Sequence, residues 1–498
     1  MTIEIPSTVG ADDVTNWSDD VDVVVIGFGI AGGSAAVSAA EKLGAGTRVL
    51  VLERGAVAGG TTSLAGGHFY LGGGTAVQQA TGHPDSADEM YKYLLAVSRD
   101  PDNPELRAKI RAYCDGSVDH FNWLEGLGFQ FERSYFPGKA VIQPNTEGLM
   151  FTGNEKVWPF SELAVPAPRG HKVPVPGDTG GASMVIGLLV KRAAELGVEI
   201  RYETGVTQLI TEGSGPDKRV TGVAWKRFDE TGAIRAKSVV IAAGGFVMNS
   251  DMVAKYTPKL AEKPFVLGNT YDDGLGIRLG VSAGGATENM EEIFITAPPY
   301  PPAILLTGII VNKLGQRFVA EDSYHSRTAG FVMDQPDSAA YLIVDEAHLE
   351  HPKMPLVPLI DGWESVEEME AALGIPTGNL VATLDRYNTY AARGEDPDFH
   401  KQPEFLAPQD KAPWGAFDLS LGKAMYAGFT MGGLTTSVDG EVLRDDGTVI
   451  AGLYAAGACA SNIAQDGKGY ASGTQLGEGS FFGRRAGANA ARRAGDAS

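Results

Sequence analysis

The sequence predicts an α/β fold with a parallel sheet, interrupted by an inserted α+β domain, so that the chain is α+β overall. A continuous apolar strand, a glycine turn and an alanine-rich helix follow one another between residues 23 and 44. Glycine turns become rarer between about residues 286 and 425, and the strand–glycine–helix style returns beyond this region. We therefore assign residues 1–285 and 426–498 to one domain and residues 286–425 to the insertion.

The composition is that of an ordinary folded protein with more than one domain. The chain has 498 residues, of which 43% are hydrophobic and 21% charged, and one core rarely serves so long a chain. Glycine accounts for 65 of the 498 residues, a larger share than the usual ~7%. This excess favours nucleotide-binding turns. The formal charge of −21 repels polyanions, so we expect no nucleic-acid partner.

Cysteine content and apolar runs limit the location of the protein. Cys114 and Cys459 are the only cysteines, and no metal-type spacing occurs, so we expect no metal site. The acidic N-terminal segment does not resemble a signal peptide. No apolar run approaches the ~20 residues that span a bilayer. We expect a cytoplasmic enzyme without a transmembrane segment.

The first predicted element is a β-α-β unit. Residues 23–26 form an uninterrupted apolar strand, as is typical of a parallel strand buried on both faces. The helix that follows ends near Gly44, and "TRVLVLER" supplies the second strand. A strand, a crossover helix and a parallel strand make the unit that most nucleotide-binding sheets repeat.

Further elements follow in order along the chain. Apolar residues at helical spacing predict helices within residues 85–127, and "SMVIGLLVKRAAELG" predicts another. Residues 137–180 are rich in proline and glycine and are interpreted as surface loops. "VEIRYET", "GVTQLITE", "RVTGVAWKR" and "SVVIAAGG" are predicted to be strands, the middle two forming a meander. Within the insertion, residues 364–392 are predicted to be helical.

Gly27, Gly29 and Gly32 form a G-x-G-x-x-G motif between the first strand and its helix. In such a motif the glycines make a tight turn, let backbone approach a pyrophosphate and pack the helix on the strand. The phosphate binds at the helix N-terminus. Glu53 ends the next strand and is placed to bind ribose hydroxyls. The sequence therefore predicts a Rossmann-like dinucleotide site rather than a glycine turn without a ligand.

Other glycine clusters distinguish FAD from NAD. "GGTTSLAGGHFYLGGG" follows directly on the second strand, and its small residues and hydroxyls suit a long diphosphate and flavin tail. An NAD domain would leave this cluster and those near the C-terminus unexplained. We therefore predict an FAD-binding domain.

The glycine clusters also carry a resemblance to a known family. "GGTTSLAGG", "VVIAAGGF", "NTYDDGLGIRLGVSAGGA", "GQRFVAED", "TMGGL" and "GLYAAG" resemble, in order, the motifs of the fumarate reductase/succinate dehydrogenase flavoprotein family. This resemblance implies a flavin domain interrupted by a capping/catalytic domain. It also implies a C-terminal helix whose positive N-terminus faces the flavin ring. His68 lies outside the position of a covalent flavin link in relatives, so we predict non-covalent FAD and interpret His68 as a packing or solvent-facing residue.

The motifs and the resemblance together imply a set of FAD contacts. These predicted cofactor-binding residues are Gly27, Gly29, Ile30, Ala31, Gly32, Glu53, Arg54, Gly60, Thr61, Thr62, Ser63, Ala65, Gly66, Gly67, Val206, Ala243, Gly244, Asp273, Gly274, Gly457, Gly473, Gln475 and Leu476.

One departure from the family concerns the substrate. Dicarboxylate reductases of this family place a histidine before "TMGG" to bind a substrate carboxylate, and this chain has Phe429 there. Those enzymes also use an arginine acid downstream of "RF". Here Arg317 and Arg327 are available, with Tyr324 between them. The missing histidine argues against a carboxylate substrate, and the apolar segment 297–311 suits a flat hydrophobic one.

Tyr324 together with "GYASG" near the C-terminus resembles flavin-dependent 3-ketosteroid dehydrogenases, most closely those acting on the 4,5 bond of 5α-3-ketosteroids. The resemblance implies that Tyr324, Tyr470 and Ser472 are catalytic. Desaturation beside a ketone removes an α-proton and a β-hydride, and hydrogen bonds to the carbonyl stabilise the developing enolate. A hydrophobic steroid substrate and an electron acceptor of unidentified chemistry would be the partners.

Several alternatives stay open at this point. Two of the predicted catalytic residues also have a purely structural interpretation. Tyr324 would pack at a domain junction, and Ser472 would cap the last helix. A 1,2-desaturating ketosteroid dehydrogenase, a flavin reductase of an unsaturated acid, and a nucleotide-binding module without redox turnover are the competing functions. Phe429 disfavours the reductase, and the intact flavin motifs disfavour the module.

Overall fold

The computed structural model describes residues 3–141, 143–261 and 265–496. The helices of this part of the chain are α1 (Ile30–Leu43), α2 (Ala76–Ala80), α3 (Ala87–Val97), α4 (Pro104–Gly126), α5 (Phe160–Leu163), α6 (Ser183–Glu195), α7 (Ser250–Tyr256), α8 (Pro258–Ala261), α9 (Leu275–Ser282), α10 (His325–Met333), α11 (Val366–Ala372), α12 (Asn379–Ala391) and α13 (Thr474–Asp496).

The longest strands of the same part lie in the main sheet. They are β1 (Val9–Gly10), β2 (Asp19–Ile26), β3 (Val49–Leu52), β4 (His68–Tyr70), β5 (Gly170–Lys172), β6 (Glu199–Arg201), β7 (Gly205–Glu212), β8 (Arg219–Arg227), β9 (Glu230–Ile241), β10 (Phe265–Val266), β11 (Thr287–Glu288), β12 (Ile293–Thr296), β13 (Ile309–Asn312), β14 (Ala340–Asp345), β15 (Leu359–Trp363), β16 (Trp414–Asp418), β17 (Ala427–Thr430), β18 (Gly433–Leu434), β19 (Glu441–Leu443) and β20 (Val449–Ala455).

The main sheet confirms the predicted α/β class. β2 lies parallel to both β3 and β9, and β6 and β20 extend the parallel part on either side. The residues from Val23 to Ile26 are all buried, as expected for a strand covered on both faces. β7 and β8 form the predicted meander, and the longer β9 extends it by pairing antiparallel with β8. The carboxyl ends of β2, β3, β9 and β20 therefore meet at one edge of the sheet.

Close packing of α1 and α13 explains part of the glycine content. A Cβ atom at Gly483 would lie 2.4 Å from the carbonyl oxygen of Ala31, and one at Gly487 would lie 2.1 Å from that of Ala35. The two backbones can approach this closely only because these positions lack side chains. The glycine excess thus serves helix packing as well as the nucleotide-binding turns from which it was predicted.

The predicted insertion contains its own sheet and core. β13, β14, β16 and β15 form an antiparallel sheet, and its buried residues pack with Leu380 and Tyr387 of α12. The predicted helical stretch 364–392 is confirmed by α11 and α12. β17, which follows residue 425, pairs with β12 inside the insertion. The domain boundaries themselves stay a prediction.

The interpretation of residues 137–180 as surface loops is wrong for much of that segment. β5 pairs with β4, and Arg169 and His171 are fully buried. Arg169 donates to both carboxylate oxygens of Asp85 at 2.9 and 2.7 Å. Proline and glycine predicted a mostly irregular backbone, interrupted only by the short α5 and β5, but they carry no information about burial when tertiary hydrogen bonds satisfy the backbone.

The structure also bears on metals and membranes. Among the described residues, no group of three or more His, Cys, Asp or Glu side chains is arranged to hold a metal ion. Within the same residues, every helix is too short or too polar to cross a bilayer.

Candidate active site

The glycine turn between β2 and α1 begins the candidate cofactor site. Gly27 has a φ of +93°, and its N–H donates to the Leu52 carbonyl at 2.9 Å. A Cβ at Gly32 would lie 2.0 Å from the Gly27 carbonyl oxygen. The turn therefore holds the N-terminus of α1 against the end of β2. This is the geometry in which a helix N-terminus accepts a phosphate.

Glu53 stands at the carboxyl end of β3, as predicted from its spacing. Its Oε2 accepts the Phe28 N–H at 2.7 Å, and its Oε1 accepts the Gly55 N–H at 2.6 Å. These two amides fix the carboxylate beside the glycine turn. Each oxygen keeps a further lone pair with which it can accept a ribose hydroxyl.

The segment after β3 reaches the start of α1 through its threonines. Residues 60–64 form a 3-10 turn, and the Thr62 Oγ1 accepts the Ile30 N–H at 3.0 Å. The Thr61 hydroxyl bonds Asp272 and accepts the Asn269 N–H at 2.8 Å. The turn therefore places the Thr62 hydroxyl at the positive end of α1, where a diphosphate is favoured, and joins Thr61 to the segment before α9.

Asp272 is a residue that the sequence analysis missed. It is buried and its pKa is raised by that burial, whereas the neighbouring Asp273 was selected. Asp273 pairs with Arg54 at 2.8 Å and accepts the N–H of Leu275, the first residue of α9, at 3.0 Å. Both aspartates lie in "YDDG", so the sequence does not distinguish them. In the structure Asp272 contacts Thr61, whereas Asp273 contacts Arg54 and the start of α9.

Most of the other predicted FAD contacts surround the same sheet edge. Residues 204–206 lie beside the end of β3, where the Thr204 N–H donates to the Glu53 carbonyl at 2.9 Å. The remaining contacts on this side are Ala31 in the first turn of α1, Gly60 and Ser63 in the 3-10 turn, Val206 in β7, Ala243 and Gly244 after β9, Gly274 before α9, and Gly457 after β20.

A second group of predicted contacts surrounds the N-terminus of α13. The Tyr70 N–H of β4 donates to the Gly473 carbonyl at 3.0 Å, and Gln475 and Leu476 form the first turn of the helix. Three small residues lead from the 3-10 turn into β4, and these are Ala65, Gly66 and Gly67. The structure therefore connects the phosphate end of the site to the start of α13 through β4.

The donor set of these residues fits FAD. A carboxylate at the end of β3 suits ribose hydroxyls, amides and a hydroxyl at α1 suit the diphosphate, and the positive N-terminus of α13 suits an electron-rich ring edge. When bound, FAD supplies a hydride acceptor.

The three predicted catalytic hydroxyls come together at the start of α13. Tyr324 and Tyr470 are 4% and 7% exposed and belong to one apolar cluster. The Ser472 side chain lies close enough to the Tyr324 phenol to lower its pKa in part. The Tyr470 Oη accepts the Gln475 N–H at 3.4 Å. Residues from two distant parts of the sequence are thus neighbours in the fold.

Burial controls the protonation of both phenols. It raises the pKa of Tyr324 well above its ordinary value, and the Ser472 side chain lowers it only in part. Burial also raises the pKa of Tyr470, against the smaller lowering by the Gln475 amide. At neutral pH each phenol therefore keeps its proton and can donate a hydrogen bond.

An aromatic wall borders these hydroxyls. The rings of Phe294 and Phe429 stack at 4.6 Å between centroids, and Phe294 meets the Tyr470 ring edge-on at 4.8 Å. Phe429 in β17 lies opposite Phe294 in β12. The position where dicarboxylate reductases carry a histidine therefore presents an apolar face beside Tyr470.

The two arginines of the "RF" region have different partners. Arg317 donates to the carboxylates of Glu321 and Asp396 at 2.8 to 2.9 Å. Arg327 lies against the rings of Phe160 and Phe331. Arg317 is thus committed to a buried ion-pair network, which ties the "RF" motif to the insertion.

His68 is a buried packing residue. It is 3% exposed, and burial, with a smaller contribution from Lys172, lowers its pKa to about 3. Neither ring nitrogen has a hydrogen-bond partner among the described residues.

Because His68 lies outside the family's linkage position, the flavin is expected to be bound without a covalent bond. Acid precipitation of the purified protein should release all flavin into the supernatant. Flavin that stays in the pellet would contradict this expectation. Its release on repeating the experiment with His68→Ala would then identify the linkage.

The fold and this site define a flavoprotein oxidoreductase. A model of the FAD binding domain family matches residues 22–479, and the chain belongs to this family. FAD is therefore its cofactor.

Three relatives show its position within the family. A structure of a 3-ketosteroid-Δ4-(5α)-dehydrogenase from Rhodococcus jostii RHA1, in complex with 4-androstene-3,17-dione, is 39% identical with a TM-score of 0.89, covering 97% of this chain and 99% of that one. A 3-oxo-5-alpha-steroid 4-dehydrogenase from Comamonas testosteroni is 30% identical over 90% of this chain and 94% of its own length. A urocanate reductase from Eggerthella lenta is also 30% identical, over 95% of this chain and 75% of its own length.

Proposed function

We propose that this protein desaturates a 3-ketosteroid beside its ketone, at the 4,5 bond. The observation that carries the proposal is the group of hydroxyls from Tyr324, Tyr470 and Ser472, which lies at the α13 N-terminus against the Phe294–Phe429 wall. Similarity to two dehydrogenases of 5α-3-ketosteroids over nearly the whole chain supports it.

The hydroxyls have distinct tasks in the proposed mechanism. Tyr470 keeps its proton and donates it in a hydrogen bond to the ketone oxygen, which acidifies the α-proton and stabilises enolate character. Its Oη is oriented by the Gln475 N–H. Tyr324 is the adjacent base: it accepts the α-proton in its phenolate form, after losing its own proton to solvent, and the Ser472 side chain offsets part of the cost of that buried phenolate. The aromatic wall holds the flat substrate and excludes water.

The second candidate is a reductase of an unsaturated acid, which the urocanate reductase similarity favours. Such a substrate needs a cationic or histidine partner for its carboxylate. Phe429 occupies that position, and Arg317 is paired with two carboxylates. The dehydrogenase is therefore the better-supported function. A 1,2-desaturating dehydrogenase differs from it only in the bond that is oxidised.

Anaerobic bleaching of the bound flavin tests the proposal. A 5α-3-ketosteroid should reduce the flavin in a single exponential phase, and product analysis should show the 4,5 double bond. Chemically reduced enzyme should not be reoxidised by fumarate or urocanate at low millimolar concentration. Rapid reoxidation by either acid, with no bleaching by any steroid, would establish the reductase instead. A 1,2-unsaturated product would shift the proposed bond.

A further inference from the structure

Residues 152–154, which lie before α5, contact both parts of the chain that carry the three predicted catalytic hydroxyls. The Thr152 carbonyl accepts the Ser472 N–H at 2.9 Å, and the Asn154 Oδ1 accepts the Tyr324 N–H at 2.9 Å. The Asn154 Nδ2 donates, at the longer distance of 3.5 Å, to the carbonyl of Lys468, two residues before Tyr470. One amide side chain therefore contacts the backbone of both elements that carry the phenols.

Asn154 is built in rigidly. It is fully buried, and its own N–H donates to the Tyr93 hydroxyl at 2.8 Å. A Cβ at Gly153 would lie 2.8 Å from that of Ala471, so the segment packs directly beneath the loop that carries Tyr470. A displacement of the Asn154 amide would therefore also displace the packed residues Gly153 and Ala471.

We propose that Asn154 is a positioning residue that fixes the distance between Tyr324 and the Tyr470–Ser472 loop. Tyr324 begins α10, while Tyr470 and Ser472 precede α13, more than a hundred residues further along the chain. Proton transfer and carbonyl polarisation need both sets of hydroxyls around one substrate, and misplacement by about 1 Å can cost ~100-fold in rate. This inference rests on the proposed function of the hydroxyls.

Two substitutions of Asn154 distinguish the contributions of its two side-chain hydrogen bonds. Asn154→Ala removes both, and we expect flavin reduction at saturating substrate to slow by ~10- to 100-fold, with KM changed less than threefold. Asn154→Asp keeps the acceptor for Tyr324 and loses the donor to Lys468, so it should recover part of the rate. FAD content should stay unchanged in both.

Asn388→Ala is the matched control. Asn388 uses both ends of its amide on the Gln409 backbone, at 2.7 and 3.0 Å. Its removal should lower the melting temperature as much as Asn154→Ala does, while the rate per bound flavin stays at the wild-type value.

A double-mutant cycle distinguishes positioning from general stabilisation. If Asn154 acts by positioning the Tyr324 phenol, Asn154→Ala should slow Tyr324→Phe enzyme by less than threefold, because the hydroxyl whose position it fixes is already lost. Equal slowing in both backgrounds, or a wild-type rate in Asn154→Ala, would overturn the inference. The comparison uses whichever compound of the panel reduces wild-type flavin, so a failure of the steroid assignment is seen separately in the wild type.

Discussion

Tyr470→Phe is expected to slow flavin reduction by a 5α-3-ketosteroid by ~100-fold or more, because the substitution keeps the ring and removes the donor to the ketone. The ring contacts with Phe294 and Phe429 are retained. Stability and FAD content should therefore barely change. Stopped-flow reduction at matched flavin occupancy measures the effect.

The control is Tyr390→Phe in α12, which removes the same oxygen from a half-buried tyrosine of the insertion. It should reduce at the wild-type rate. If Tyr470→Phe also reduces within a few-fold of wild type, this hydroxyl has no part in the chemistry. Lost flavin with an intact rate per bound flavin would make Tyr470 a structural residue.

The dependence of the rate on pH tests which task Tyr470 performs. Burial raises the pKa of its phenol, so a donor role predicts that its contribution is constant through neutral pH and lost only in strongly alkaline solution. A base role predicts the opposite sign, with the ratio of the wild-type rate to the Tyr470→Phe rate rising as pH increases, whereas the ionisation of Tyr324 affects both enzymes alike. Ser472→Ala should lower the rate and shift the part of the pH profile that depends on Tyr324 to higher pH, because it removes the hydroxyl that lowers the pKa of Tyr324.

The sequence was sufficient wherever local spacing determines the structure. The apolar strand before Gly27 and the spacing to Glu53 predicted the β-α-β unit and its carboxylate, because strand burial and turn geometry act over a few residues. The resemblance, in turn, predicted that Tyr324 would meet Tyr470 and Ser472, although no local pattern links them.

Long-range contacts without a local signature could not be predicted. Asn154 lies in a segment whose proline and glycine content indicated surface loops, and its amide becomes informative only when Tyr324 and Lys468 are seen on either side. Asp272 was passed over for its neighbour, since both have the same charge and only Asp272 reaches Thr61. Such partners are set by tertiary packing, which spacing does not encode.

Glycine content alone does not show which glycines are needed for helix packing and which for cofactor binding. Gly483 and Gly487 let α13 contact α1, so the helix whose N-terminus adjoins the hydroxyls is held by the helix that begins at the dinucleotide turn. The two ends of the flavin site are thereby joined through one packed helix pair. A displacement of α1 should consequently affect both ends.

Gly32→Ala tests this link and is expected to abolish FAD binding. The added methyl group would lie 2.0 Å from the Gly27 carbonyl oxygen and 2.9 Å from its carbon. These are backbone atoms that cannot rotate away, so α1 must move from the end of β2. The N–H groups of the turn then no longer converge on the diphosphate, and we expect an affinity loss of ~100-fold or more.

The same substitution at Gly187 is the matched control. Gly187 lies on the exposed face of α6, where an added methyl group would have no atom within 4 Å, so Gly187→Ala should keep its flavin and gain up to ~1 kcal/mol of stability. Flavin absorbance per protein and the melting temperature with and without added FAD distinguish the two. Since a ligand stabilises only the state that binds it, added FAD should raise the melting temperature of Gly187→Ala apoprotein and leave that of Gly32→Ala unchanged. A yellow Gly32→Ala protein with stoichiometric FAD would show that the turn tolerates a side chain and does not define the phosphate site.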